Sequence, residues 1–547
     1  MIIKALTIEN FKGISAPVRV EFKPITLLFG SNSAGKSTIV QALHYLREVV
    51  ERYNFDPDTT IAGGDFIDLG GFRNFVHNRD LSLPVRFRID LDLSETDLYE
   101  YIWPGPDESS RLSSLVTGIP YKEESWNLSE AVESAWVDIT IAWSFMFQRP
   151  QVVQYETGIN GHFFAQITAS EDGRRVRISR INFNHPSFPV DDPESFDDDS
   201  RPGSLVELLY DLVINEEVVG KGEEIELGLN HLRSAIPEMG NPLVFDNSCI
   251  ADSMAKTGEE SNEKTVMHLS AILSQLLGGP GELLKETLQG FRYIGPLRKI
   301  PPRGYVPMKS PVESRWADGM AAWDRLYLRE EAFTKRVSEW LSGEKRLNSG
   351  YWLKMRTYRE IDSDNSLAVN LLTGDILDDE RASSTFSSLQ EKRELQLVEE
   401  RNGLAVALQD IGVGISQMIP VVVAALDEKA SFVMIEQPEL HIHPRLQVNL
   451  GDLFISQIQD VPDCNQFFLI ETHSEHMLLR LLKRIRQTSE NDLEPGIAPL
   501  SPDQLCTLYV NQTTQGMKLQ QLSVSADGDS LGEWPQGFFE ERAGELF

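Results

Sequence analysis

The residues Gly30-Ser31-Asn32-Ser33-Ala34-Gly35-Lys36-Ser37-Thr38 satisfy the phosphate-loop spacing GxxxxGK[ST] at every required position. Such a pattern serves the binding of a nucleoside triphosphate. Glycines let the backbone curl until several N–H groups face one anion, and a following helix adds its positive N-terminal end. Lys36 would then reach the terminal phosphates, and Ser37 or Thr38 would ligate Mg²⁺. A loop of this kind must lie between a buried strand and a helix. The run Ile25-Thr26-Leu27-Leu28-Phe29 reads as that strand and residues 38–50 as that helix, so a chance glycine-rich turn is disfavoured. ATP or GTP, with Mg²⁺, is the expected cofactor.

Three further segments offer complementary chemistry. Phe432-Val433-Met434-Ile435 reads as a buried strand, and Glu436 at its end stands where an acid could hold the metal's water shell. The plainer reading is a surface glutamate opening a turn. Upstream, Asp410-Ile411-Gly412-Val413-Gly414-Ile415-Ser416-Gln417 opens a helix that continues through Met418. Gly412, Gly414 and Ser416 there form a second anion cradle. A strand at 466–470 runs into Glu471-Thr472-His473-Ser474. His473 could sense a terminal phosphate or hold an attacking water, although a lone histidine is more often structural.

The elements that must position these groups follow from periodicity. Strands are expected near 2–8, 18–22 and 26–29, and 84–93 alternates as a half-exposed strand should. Residues 103–107 read as a turn, 136–143 and 161–167 as strands, and 191–199 as an acidic loop. Helical periodicity is read from 204 to about 289, interrupted at 255–264 and at Gly278-Gly279-Pro280-Gly281. Helices are expected near 391–409 and at 474–485, and a strand-rich segment at 506–510. The expected organisation is an α/β fold: an N-terminal lobe at 1–93, a mixed and then largely helical insertion at 94–290, a basic-rich linking segment at 291–390, and a C-terminal lobe at 391–547. No repeat of 20–50 residues and no sustained heptad is visible.

Taken in order, Leu6-Thr7-Ile8-Glu9-Asn10-Phe11-Lys12, the phosphate loop, Gly412 to Gln417, Ile435-Glu436-Gln437-Pro438-Glu439-Leu440-His441-Ile442-His443-Pro444 and Thr472-His473-Ser474 resemble the ABC-type ATPases of the SMC and OLD group over nearly the whole chain. Tyr293-Ile294-Gly295-Pro296-Leu297-Arg298 and Trp534-Pro535-Gln536-Gly537-Phe538-Phe539 are similar to bacterial defence ATPases, among them the PtuA-type subunits of Septu and retron-linked Septu systems. The resemblance implies an ABC-type P-loop head with a central mixed or parallel sheet, split by the insertion, that binds ATP and Mg²⁺.

It implies Gly30, Asn32, Ser33, Ala34, Gly35, Lys36, Ser37 and Thr38 as the phosphate loop, Ser37 and Glu436 on the metal, and Gly412, Gly414 and Ser416 against ATP held by another subunit. Head-to-head dimerisation or a higher assembly of the chain with itself is therefore expected. His473 would be the switch histidine, and His441 and His443 would face the partner, with a His-x-His metal site as the rival reading. Two positions depart from the family pattern. Gln437 stands where many relatives have the general base, and an amide cannot take a proton. Glu439 or His473 would have to compensate, or hydrolysis is slow. No glutamine occurs in 65–78 to sense Mg²⁺, where Asn74, His77 and Asn78 are only weak stand-ins.

Composition narrows the function. The net charge of −32 opposes a generally nucleic-acid-binding surface. Residues 291–360, with fifteen Lys and Arg against eight Asp and Glu, are the expected place for a phosphate backbone or an acidic partner, unless they are an ordinary solvated face. Cys249, Cys464 and Cys506 lie far apart, as in a reducing compartment, so neither disulfides nor a cysteine-bound metal are expected. With no long apolar run and no signal peptide, no membrane association and a cytoplasmic location are expected. Absent heptads disfavour SMC-type arms, and too few residues follow His473 for the Toprim nuclease of OLD proteins. The acidic run Asp197-Asp198-Asp199 offers little as a metal site.

The expected function is therefore a slowly hydrolysing ATPase that senses or regulates in antiviral defence and controls a separate effector nuclease, such as an HNH protein. A reverse transcriptase with its non-coding RNA, or DNA, is a further possible partner. The alternatives are a DNA-repair or recombination ATPase acting on DNA ends, and a nucleotide-gated scaffold with little hydrolysis.

Overall fold

The computed structural model describes residues 2–31, 34–99, 101, 132–182, 185–187, 224–246, 270–310, 312–328, 331–373, 379–459, 466–513 and 516–531. Asn32 and Ser33 of the phosphate loop lie outside the described residues. So do 103–107, 191–199, 255–264, 534–539, Cys249 and Cys464.

The first three strands are β1 (Ile3–Glu9), β2 (Val18–Glu21) and β3 (Ile25–Gly30). Only β3 is buried at every position, and it separates from the other two into a different sheet. β1 and β2 pair antiparallel, and β1 pairs with β4 (Val85–Asp92), whose Val85, Phe87, Ile89 and Leu91 turn inward while the residues between them are more exposed. This is the alternation of a sheet with one covered face.

The sheet continues through β5 (Ser134–Ser144), β6 (Arg149–Ile159), β7 (His162–Ala169), β8 (Val176–Ile181) and β9 (Glu224–Leu229), each antiparallel to the last. The largely helical expectation for the insertion meets more strand than helix among the described residues, where helix occurs at 270–289, ending in α2 (Gly279–Gln289) after α1 (Lys36–Arg52); 204–223 and 247–269 of the helical reading lie outside the described residues. The physical reason is visible in Glu224-Ile225-Glu226-Leu227-Gly228-Leu229. Its apolar residues recur every second position, and a broad helical window averages over that local period.

The second sheet has the order β10-β14-β15-β3-β16-β17-β18, built from β10 (Phe291–Ile294), β14 (Phe432–Glu436), β15 (Phe467–Glu471), β16 (Leu505–Thr513), β17 (Gly516–Val524) and β18 (Ser530–Leu531). The five strands from β10 to β16 run parallel, and β17 and β18 add antiparallel edges. Both faces are covered. Phe432, Met434, Phe467, Leu469 and Leu28 join the core that includes α1 and the first sheet. Val433, Ile435, Phe468, Ile470, Leu27 and Phe29 join a second core, built with α3 (Val413–Ala425), α4 (Pro444–Gln457) and α5 (Glu475–Ser489). Burial on both faces explains why these strands are unbroken apolar runs.

A small antiparallel sheet of β11 (Tyr351–Arg359), β12 (Glu391–Glu399) and β13 (Ala405–Ala407) packs against the second core. The helix expected at 391–409 is thus two strands and a short 3₁₀ turn at Leu408–Asp410. Glu, Lys, Arg and Gln favour helix intrinsically, but Leu395 and Leu397, two residues apart, are both buried, and tertiary burial overrides propensity.

Much of the basic stretch 291–360 is paired internally. Arg325 reaches Asp427, Arg315 bonds Asp324 at 2.9 Å, Lys299 meets Asp318 at 3.0 Å and Arg303 meets Asp410 at 2.7 Å. Asp427 and Asp410 lie outside the segment, so part of its excess positive charge is matched within the chain. Among the described residues no helix is long and apolar enough to cross a membrane.

Candidate active site

The phosphate loop joins β3 to α1. Gly30 (φ 149°) and Gly35 (φ 104°) occupy backbone conformations that a side chain would block: a Cβ on Gly30 would lie 2.5 Å from the Val510 carbonyl oxygen, and one on Gly35 2.8 Å from the sulfur of Met517. Gly35 is the N-cap of α1 and supplies no side-chain acceptor, so the helix end keeps N–H groups for an anion. Lys36 is only 4% exposed, and its Nζ donates to the Gly30 and Ser31 carbonyls at 3.0 Å each. Burial lowers its pKa, opposed by Glu471, whose carboxylate lies 3.7 Å away.

A cavity of about 400 Å³ is lined by Gly35, Lys36, Ser37, Thr38, Gln41, Pro296, Glu436, Gln437 and Glu471. Glu436 and Glu471 end the parallel strands β14 and β15 in register with each other. Burial and the neighbouring Glu471 push Glu436 up to about 7, with the Tyr293 hydroxyl, 3.0 Å from Oε1, opposing the shift. Glu471 is raised as well, chiefly by burial and against the pull of Lys36, and its Oε2 is buried with no hydrogen-bond partner among the described residues. Two crowded carboxylates, a lysine and the Ser37 hydroxyl at an open helix end are a donor set that fits a Mg²⁺-nucleotide. The cation would relieve the carboxylate repulsion, and the phosphates would satisfy the N–H groups.

Gln437 follows Glu436 with φ 45°, a left-handed conformation that costs a non-glycine residue about 1 kcal/mol. It is held by its N–H, which donates to the Glu471 carbonyl at 2.7 Å, and by its own carbonyl, which accepts from Arg298 Nη2 at 3.2 Å. Glu439 is fully engaged. Its Oε2 accepts from the Thr472 hydroxyl at 2.8 Å and its Oε1 from the His473 N–H at 2.7 Å. This carboxylate fixes the loop after β15, and it is not among the cavity walls, which argues against the base role considered for it. His473 stands on that loop, its pKa lowered by burial and by Lys36, so its imidazole is neutral near pH 7.

The glycine-rich start of α3 lies apart from the cavity walls. Gly412 is its N-cap without a side-chain cap, and no acidic residue sits in the first turn. A Cβ on Gly412 would meet nothing within 4 Å, whereas one on Gly414 would lie 2.7 Å from the His441 carbonyl oxygen. Gly414 is therefore required by its own chain, and Gly412 is not. Ser416 departs from the expected contact surface: it is 0% exposed and its hydroxyl donates to the Val413 carbonyl at 3.1 Å. What α3 presents to solvent is Gly412 and Val413, the latter 52% exposed. His443 caps α4 by accepting from the Arg445 N–H at 3.2 Å, a structural use of one of the two loop histidines.

The structure thus brings Gly35, Lys36, Ser37, Thr38, Glu436 and Gln437 to one cavity, with Gly30 supporting Lys36 from below. Gly412, Gly414 and Ser416 are not brought to it. Sequence reasoning missed Glu471, Gln41, Pro296, Tyr293 and Arg298. Glu471 could have been found as the acid ending a five-residue apolar strand, as Glu436 was. Gln41 could have been found one helical turn beyond Ser37. Asn74 and His77, weighed as Mg²⁺ sensors, instead bond the Gly70 and Lys12 carbonyls, the latter at 2.8 Å.

Among solved structures the chain is similar to an SMC head domain from Thermotoga maritima, at 9% identity over 96% of this chain and 100% of that one, with a TM-score of 0.35. It is similar to an Smc head domain with an extended coiled coil, bound to the C-terminal domain of ScpA and derived from Pyrococcus furiosus, at 11% identity over 95% and 96%, with a TM-score of 0.34. No curated protein matches. The family model described as "AAA ATPase domain" matches residues 1–135 and 337–478, just over half of the chain. Its two matched segments contain the phosphate loop, α3, Glu436 and His473. This chain belongs to the AAA ATPase domain family.

Proposed function

We propose that this protein is an ATPase whose working site is shared between two copies: ATP sits on Lys36 of one chain and meets Gly412 and Val413 of the other. The observation that carries this reading is the start of α3, an uncapped glycine with no acidic residue in the first turn, where no atom among the described residues explains the glycine. Lys36 binds the terminal phosphates, exchanging its two carbonyl partners for phosphate oxygens. Ser37 and Glu436 hold Mg²⁺, which supplies neutralisation of phosphate charge when bound. Gln437 orients a water, His473 lies on the phosphate side of the same strand ends, and Glu439 keeps that loop in place. With an amide where a base is usual, hydrolysis by the isolated protein is slow, and the ATP-bound dimer is long-lived.

The cellular reading is a sensor or regulator in bacterial antiviral defence that passes its nucleotide state to a separate nuclease. It is supported by the resemblance of Tyr293 to Arg298 to Septu-type ATPase subunits. The purified chain should cut neither DNA nor RNA with Mg²⁺ or Mn²⁺. Phage plating on cells carrying the gene with its neighbours tests the role directly: protection should disappear in Lys36→Ala. Protection by the variant equal to wild type, or nuclease activity of this chain alone, would overturn the reading.

A further inference from the structure

The segment Tyr293–Arg298 crosses the site without belonging to any of the nucleotide motifs, and it is tied on both sides. Arg298 is 3% exposed. Its Nη2 donates to the carbonyls of Glu436 at 2.6 Å and Gln437 at 3.2 Å. Its Nε and Nη1 are buried with no hydrogen-bond partner among the described residues. The backbone of the same residue is clasped by α3: the Arg298 N–H donates to Gln417 Oε1 at 3.0 Å, and Gln417 Nε2 donates to the Arg298 carbonyl. Gln417 lies directly after Ser416, four residues from the exposed Val413. Behind the arginine, Gly319 (φ 78°) leaves room: a Cβ there would lie 3.2 Å from Arg298 Cβ and 3.1 Å from Pro420 of α3.

A buried guanidinium with two unused donors costs free energy, so its place must be justified by what it holds. Here its Nη2 alone grips the two carbonyls on either side of the strained Gln437 Cα, one bond farther from the backbone than the ammonium of a lysine reaches. Nothing else among the described residues joins α3 to the Glu436–Gln437 peptide by consecutive hydrogen bonds. We propose that Arg298 is a positioning residue that makes the water-holding conformation of Gln437 depend on α3, through Gln417, so that contact at the exposed end of α3 licenses hydrolysis. The inference deepens the shared-site reading and rests on it. Its two unused donors give the guanidinium capacity to take up a further acceptor when the loop moves.

The test uses the full chain and three variants: Arg298→Lys, Gln417→Met and both together. Arg298→Lys keeps the charge and loses the reach of Nη2; Gln417→Met keeps the length and loses both clasping bonds. Each single variant should lower single-turnover ATP hydrolysis by about tenfold or more, while the calorimetric Kd for ATP shifts less than about threefold. The double variant should be no worse than the poorer single one, because the two residues act as one unit. Hydrogen exchange supplies a readout independent of turnover. ATP should protect the peptide spanning 436–442 in wild type and fail to do so in Arg298→Lys. Additive losses in the double variant, unchanged hydrolysis, or equal protection in wild type and variant would overturn the coupling. Loss of ATP binding by wild type itself would instead sink the shared-site reading, so the two failures are distinguishable.

Discussion

The helices α1 and α3 begin at uncapped glycines, Gly35 and Gly412, without an acidic residue in the first turn. By contrast, α4 and α5 begin at His443 and Ser474, whose side chains accept from the Arg445 and Met477 N–H groups. The first pair spends no side chain on its open N–H groups, which is how a helix end is kept for an anion. Yet the two open ends differ. The start of α1 faces a cavity furnished by its own chain, with Lys36, Glu436 and Glu471 around it. The start of α3 has no such surroundings, and Gly412 meets open space. On the proposed reading one end is a half-site and the other is the half that a second copy would supply, and the comparison teaches where that reading can be broken.

The largest expected effect breaks the first end. Lys36→Ala removes the one buried cation of the cavity and should weaken ATP affinity by about tenfold or more by calorimetry. Unchanged affinity would contradict the site. The second end is sharpened by two substitutions with opposite expectations. Val413→Glu places a negative charge where α3's dipole welcomes it, so the fold is kept, but that charge repels a partner's phosphates. ATP binding should persist while turnover and ATP-dependent dimerisation are lost in light scattering. Ser416→Arg, at a fully buried position, should instead unfold or destabilise the protein by about 3 kcal/mol or more, seen as a lowered Tm.

Gln437→Glu should raise hydrolysis, because a carboxylate can take the proton that the amide cannot. A variant no faster than wild type would move the base elsewhere, with His473 as the remaining candidate.

The smallest effect lies outside both ends. His44 is buried between Phe291 and Tyr293, ring centroids 5.0 and 4.8 Å away, and burial lowers its pKa to about 3. Its folded value is below the unfolded one of about 6.5, so between these the unfolded state binds more protons and stability rises with pH. The contribution is complete above 6.5 and is lost as pH falls, by up to about 1.4 kcal/mol per pH unit. Comparing Tm between pH 7 and 5 for wild type and His44→Leu checks this: the variant should have the shallower loss, and equal slopes would contradict it.

Much of this was legible in the sequence, for reasons that are physical. The phosphate loop announces itself because only glycine tolerates the backbone at positions 30 and 35. β14 and β15 are readable as apolar runs because both their faces are buried. Glu471 carries no signal of its own in the sequence beyond ending an apolar run, and only the register of β14 with β15 sets it opposite Glu436. The roles of Arg298 and Tyr293 are not legible locally, because their contacts with Glu436 span more than a hundred residues of sequence. The strand at 391–399 is hidden by residues that favour helix until tertiary burial decides, and that at 224–229 by a period that a broad helical window averages away. Ser416 read as a surface ligand because its type suits a helix start, and nothing in the sequence revealed its burial.

The claim that the two ends complete one another across copies is tested by mixing Lys36→Ala with Val413→Glu. The first lacks a nucleotide half-site but keeps an intact α3 end, and the second has the reverse. Each alone should be inactive, and the mixture should recover ATP turnover, since a mixed dimer contains one whole site. A mixture as inactive as its components, with each variant folded and mixed dimers detected, would show that the site does not span two chains.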